Sequence, residues 1–222
     1  SRAAEVLNHD GRLRALAAEL RGRHATDALV VEVDLAADGG VAQLCEAIGA
    51  RELGLVCANA GYGEKGELWS IPRERTLGMV RLNCESTVDL LHTLAPRLIA
   101  RRRGGVLVVA SLAAFTATPW TSVYAATKAF DLALAEGLAE ELAPHGVDVE
   151  GPRRTVGDLS RIPFGLARAD GVARAALDGL GRQRVVVPRP LDRVASVLTR
   201  LVPRQLATHL SGRAIKRVIG DP

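Results

Sequence analysis

The run GGVLVVAS at 104–111 constrains the chain more than any other stretch. Its apolar residues do not alternate with polar ones, so as a strand it must be covered on both faces, which is the habit of parallel sheets. Similar short runs are ALVVEVDLA at 28–36, LGLVCANAG at 53–61, Val147 to Val149 and Arg184 to Val187. Stretches of helical period lie between them: 11–23, an Ala- and Leu-bearing segment around 40–50, about 72–102, about 121–143 and about 171–180. Pro144-His145-Gly146 stops the fourth of these. Strands alternating with helices predict a doubly wound α/β fold, a mostly parallel sheet inside a three-layer αβα sandwich. With no internal repeat and no low-complexity linker, residues 1–222 are expected to form one Rossmann-like domain.

Composition narrows the chemistry. Only 3% of residues are aromatic, so the core must be built from Ala, Val and Leu. The net charge of +4 is dispersed and lacks the interleaved aromatics of single-strand binders, which argues against nucleic acid as a partner. Cys45, Cys57 and Cys84 sit in apolar segments without a Cys-x-x-Cys, as reduced thiols of a cytoplasmic protein would. The five histidines never pair at metal-ligand spacing, so no metal is expected. No run of about 18 apolar residues and no export leader is present. The stretch 191–219 reads as a basic amphipathic helical tail bearing Arg193, Arg200, Arg204, Arg213, Lys216 and Arg217. Such a segment can lie on an anionic membrane surface. Packing on its own domain or on a partner subunit is the preferred reading.

Ligands of doubly wound sheets sit outside the carboxyl ends of the strands. Those ends carry Asp34, Asn59-Ala60-Gly61 and Ser111, any one of which alone reads as a turn residue. The following helix opens with SVYAATKAF, where Tyr124 is one of two tyrosines and Lys128 one of three lysines. Random placement would give a Tyr-x-x-x-Lys pairing in roughly 3% of such sequences. As bare geometry, the pair need only be neighbours on one helix face.

Taken in order, these residues resemble the short-chain dehydrogenase/reductase family. CANAG at 57–61 is similar to the family's Asn-Asn-Ala-Gly, with Ala58 in place of the first Asn. Asp34, Asn83 in VRLNCEST, Ser111 thirteen residues before the tyrosine, and Tyr124 with Lys128 complete the pattern. The resemblance implies an NAD(P)-dependent oxidoreductase that moves a hydride between a nicotinamide and a ketone or secondary alcohol. It implies Tyr124 as general acid/base and Ser111 as hydrogen-bond partner of the substrate oxygen. Lys128 would lower the tyrosine pKa and contact the nicotinamide ribose, and Asn83 would anchor a water relay. Asp34, Asn59, Ala60 and Gly61 would lie around adenine and ribose. The chemistry accounts for the spacing: a phenol of pKa about 10 is roughly three units too high, about 4 kcal/mol. An ammonium about 5 Å away supplies on the order of 3 kcal/mol at an effective dielectric of 20.

Two segments depart from the family. Its opening Thr-Gly-x-x-x-Gly-x-Gly, where backbone N–H groups meet pyrophosphate, is not found before Asp34. The first residues, AAEVL at 3–7, read as a second strand, so the fold is expected without the first β-α unit. After the sixth strand, Gly151 and Thr155 match Pro-Gly-x-x-x-Thr with Glu150 in place of proline, and Thr155 would meet the nicotinamide carboxamide. Asn8, His9, Asp10, Gly11 and Arg12 mix an acid suited to a free 2′-hydroxyl with an arginine suited to a 2′-phosphate. Overall basicity tilts the choice from NAD(H) to NADP(H). The family also implies a homodimer or homotetramer through the helices at 80–100 and 121–143, and a hydrophobic small-molecule substrate. The competing expectation is a noncatalytic relative that binds a partner or nucleotide.

Overall fold

The computed structural model describes residues 3–5, 10–150, 169–182, 185–187 and 190–219. In chain order its elements are β1 (Ala3–Glu5), α1 (Asp10–His24), β2 (Ala28–Val30), α2 (Gly40–Ile48) and β3 (Leu55–Ala58). Then come α3 (Arg73–Val80), a π-helical turn (Arg81–Glu85), α4 (Ser86–Arg101), β4 (Gly104–Val108) and a 3-10 turn (Leu112–Phe115). The rest are α5 (Ser122–Leu142), β5 (Val147–Glu150), α6 (Ala169–Gly179), α7 (Pro190–Leu201) and α8 (Arg204–Ile219).

Every strand pair is parallel, as the unbroken apolar runs predict. β4 is central: Leu55 to Ala58 pair with Gly105 to Val108 on one side, and Val147 to Glu150 with Gly104 to Leu107 on the other. Gly105 through Val108 are all buried, the two-sided covering that GGVLVVAS demands. The ladders fall into two groups, β1–β2 and β3–β4–β5. In the doubly wound order 3-2-1-4-5-6 the first strand stands between the second and the fourth. With β1 and β2 as second and third strands, the break between the groups falls at that place.

Ala, Val and Leu do build the core. Val41, Leu44 and Ile48 of α2 and Leu90, Leu91, Leu94 and Leu98 of α4 meet the strand valines. Ala135, Ala139 and Leu142 of α5 join the same cluster. Small side chains let α5 approach the sheet closely.

Four expectations are adjusted. Among the described residues the run 28–36 pairs over Ala28–Val30, and Asp34 turns the chain beyond it. Its carboxylate accepts the Ala36 N–H at 2.9 Å and its carbonyl the Ala37 N–H at 3.2 Å. Val186 and Val187 are buried, yet 185–187 joins no ladder among the described residues. The 191–219 tail is two helices, α7 and α8, parted at Val202-Pro203 because the residue before a proline is disfavoured in helical geometry. Gly151, Thr155, Asn8 and His9 lie outside the described residues, whereas Asp10, Gly11 and Arg12, read as part of a turn, open helix α1.

Leu98 is fully enclosed, so Leu98→Ala should cost about 2–5 kcal/mol in urea unfolding. Leu177→Ala, at an exposed α6 position, should stay within about 0.5 kcal/mol. Equal losses would contradict this placement of the core.

Candidate active site

Helix α5 carries three polar residues on one inward face: Tyr124, Lys128 and Asp131, at i, i+4 and i+7. The Lys128 side chain is only 5% exposed and that of Asp131 2%. The ammonium donates to the Val109 carbonyl at 2.8 Å and to Asp131 Oδ2 at 2.9 Å. Val109 follows β4 directly, so the bond ties the helix to the strand end that also carries Ser111. Two of the three ammonium N–H donors are thus taken among the described residues.

The π-helical turn between α3 and α4 presents Asn83, which is completely buried. Its amide donates to the Tyr62 carbonyl and to Thr127 Oγ1, both at 3.0 Å, and its oxygen accepts the Tyr62 N–H at 3.1 Å. One side chain thereby clamps the loop after β3 to α5. Such π turns concentrate at functional sites, because the extra residue redirects side chains. Thr127 Oγ1 donates in turn to the Tyr124 carbonyl at 2.8 Å.

The loop after β3 comes close because it is glycine-rich. A Cβ at Gly61 would sit 2.9 Å from Asn83 Oδ1 and 3.5 Å from Lys128 Nζ. One at Gly63 would strike the Tyr124 ring at 2.9 Å. Ser111 is buried at the end of β4, where its Oγ accepts the Ala113 N–H at 3.2 Å and opens the 3-10 turn. Asn83, Tyr124 and Lys128 therefore surround Gly61–Gly63, and Ser111 shares the β4 strand end with Val109. Asn59 and Ala60, both half-buried, follow β3 directly. Asp34 belongs to the turn before α2. An ionised carboxylate has about four lone-pair sites, so the bond to Ala36 leaves acceptor capacity.

Burial raises the Asp131 carboxyl above the usual carboxylate range, opposed by the charge and hydrogen bond of Lys128. Burial, with the Asp131 charge adding to it and that of Lys128 opposing it, pushes the Cys84 thiol up to about 11. Burial also raises the Tyr62 phenol, with Arg75 opposing, and the charges of Glu64 and Asp34 add to the rise. Among the described residues no group of three or more His, Cys, Asp or Glu side chains is placed to hold a metal ion. No described helix is long and apolar enough to cross a membrane.

A family model described as short chain dehydrogenase matches residues 2–152. The chain belongs to the short-chain dehydrogenase family. It is 33% identical over 150 residues to a very-long-chain 3-oxoacyl-CoA reductase of Podospora anserina, covering 65% of this chain and 44% of that protein. It is 29% identical over 176 residues to a 7beta-hydroxysteroid dehydrogenase of Collinsella aerofaciens, covering 78% of this chain and 66% of that one. Among solved structures, a short-chain dehydrogenase from Sphingobium yanoikuyae in complex with NADPH superposes with a TM-score of 0.77 at 26% identity. That match covers 91% of this chain and 86% of the other. The short-chain dehydrogenase chain described here thus spans 44% and 66% of the lengths of the two named sequence relatives.

Asp131, Thr127 and Tyr62 are site residues that sequence reasoning missed. An acid three residues after Lys128, on a helix face otherwise lined by Ala and Leu, is the signal that could have found Asp131. Tyr62 and Thr127 enter through contacts spanning 21 and 44 residues, which no local pattern carries.

Because the thiolate is the reactive form, alkylation of Cys84 by iodoacetamide at pH 9 should run roughly an order of magnitude slower in the folded protein than after unfolding. Asp131→Asn removes the nearby negative charge and should speed that reaction severalfold. Peptide-resolved mass spectrometry measures both, and an unchanged rate in the variant would contradict the coupling.

Proposed function

We propose that the protein is an NAD(P)-dependent oxidoreductase that interconverts a hydrophobic ketone and its secondary alcohol. The carrying observation is the α5 face, where a buried tyrosine shares one helix side with a buried, doubly bonded ammonium.

In the direction of reduction, the Tyr124 hydroxyl gives its proton to the carbonyl oxygen as that oxygen gains charge. In the direction of oxidation, the phenolate takes the alcohol proton back. Ser111 Oγ donates a hydrogen bond to the same oxygen and orients it. Lys128 is positively charged and stabilises the phenolate, and Asp131 fixes the ammonium and keeps its charge in a site that excludes water. Asn83 holds Gly61–Tyr62 against Thr127, and so keeps the cofactor side of the cleft in register with Tyr124. Both amide hydrogens are committed to that clamp, so Asn83 acts as a positioning residue.

The residues fit a nicotinamide dinucleotide: the remaining Lys128 N–H suits a ribose hydroxyl, and Asn59, Ala60, Gly61 and Asp34 suit the adenine side. When bound, that cofactor supplies the hydride. NADP(H) is the proposed form, supported by the net charge of +4 and by the NADPH complex of the Sphingobium yanoikuyae relative. The names of the two sequence relatives, a 3-oxoacyl-CoA reductase and a hydroxysteroid dehydrogenase, support a carbonyl or alcohol on a large apolar skeleton. Exposed Val88 on α4 and Phe130 on α5 support assembly of copies through those helices.

With NADPH and a bulky hydrophobic ketone, Tyr124→Phe should lower kcat about 10²–10⁴-fold while NADPH binding persists. Turnover retained in Tyr124→Phe would overturn the assignment. Absence of NADPH binding by the unaltered protein in calorimetry would support a noncatalytic relative of the fold.

A further inference from the structure

Helix α7 turns its apolar side outward. Val194, Val197, Leu198 and Leu201 follow one another at i, i+3, i+4 and i+7 and are 50% to 75% exposed. Asp192 and Ser196 are buried instead. A helix that merely packs on its own domain buries the apolar stripe and exposes the polar one. Leu206 and Leu210, one turn apart on α8, are each about half exposed as well.

Charge separates the candidate occupants of this face. Residues 190–219 hold six cations, Arg193, Arg200, Arg204, Arg213, Lys216 and Arg217, against the single acid Asp192, a net +5. The whole chain carries +4, so everything outside the two helices nets −1. A second copy docked stripe to stripe would bring together two segments that each carry +5. An anionic bilayer surface offers acyl chains to the leucines and neutralises the arginines. Helix α8 is also well fixed for the purpose. Ser211 Oγ donates to the Ala117 carbonyl at 2.9 Å, and Gly212 lies so close to Pro119 and Trp120 that a Cβ would meet them at 3.1 and 3.2 Å. Beside that contact opens a cleft of about 660 Å³ lined by Trp120, Arg204, His209 and Arg213. Cations next to an indole suit a lipid phosphate at the level of the headgroups.

We propose that α7 and α8 seat the protein on the surface of an anionic lipid bilayer, with the Val194–Leu201 stripe among the acyl chains and the arginines at the phosphates. This docking does not depend on the catalytic reading.

Co-sedimentation of the intact protein with vesicles tests it, using phosphatidylcholine alone or with about 30% phosphatidylserine. Binding to the anionic vesicles should be at least about tenfold tighter and should weaken as salt rises. Leu198→Glu with Leu201→Glu should lower it at least about tenfold, and a circular dichroism melt reports whether these exposed positions leave the fold intact. Arg204→Gln with Arg213→Gln should lower it about fivefold per charge without touching the stripe. Absence of vesicle binding, equal binding to neutral and anionic vesicles, or binding unchanged in both double variants would overturn the proposal. So would self-association abolished by Leu198→Glu with Leu201→Glu in a protein that ignores vesicles, which would give the stripe to a second copy.

Discussion

A lysine ammonium sealed from water survives only if protein groups replace its hydration. Lys128 is such a group, and its replacements are one backbone carbonyl and one carboxylate. Taking either charge away strands the other, a loss of about 3–5 kcal/mol for buried pairs in general. The dependence runs both ways. Asp131 Oδ1 has no hydrogen-bond partner among the described residues, so the carboxylate relies on Lys128 at Oδ2. The ammonium's bond to the Val109 carbonyl ties α5 to the end of β4, on the helix face that also carries Tyr124. Burial of an ion pair is poor economy for stability alone, and the pair lies one turn beyond the tyrosine on the same helix face.

The π-helical turn completes the arrangement from the other side. Position 83 lies on the face that also carries buried Met79, Ser86 and Thr87. Within the π-helical turn the Asn83 amide reaches Tyr62 and Thr127 together. Sheet end, β3 loop and α5 are thereby joined by hydrogen bonds rather than by apolar contact alone. The β3 loop can pack this closely because Gly61 and Gly63 carry no side chain to strike Asn83 or the Tyr124 ring.

Much of this was legible in the residues. GGVLVVAS could hardly be anything but a central parallel strand, and the rarity of Tyr and Lys made their spacing on α5 conspicuous. Asp131 was harder to see, because an acid three positions from a lysine usually marks a solvated helix surface, and only the Ala- and Leu-lined face around it signals burial. The clamp by Asn83 was hidden for another reason: its partners come from distant parts of the chain. Asp34, placed after a strand and also read as a turn residue, does turn the chain, since its side chain accepts the Ala36 amide. The tail read as one helix because periodicity persists across 191–219, whereas Pro203 divides it without disturbing the apolar pattern.

With only three lysines in the sequence, selective ¹⁵Nζ-lysine NMR can observe the central ammonium directly. The Lys128 resonance, identified by its loss in Lys128→Arg, should be that of a charged ammonium exchanging far more slowly with solvent than Lys65 and Lys216. Three ammonium signals that all exchange at the rate of a solvated side chain would contradict a buried ion pair at the heart of the site.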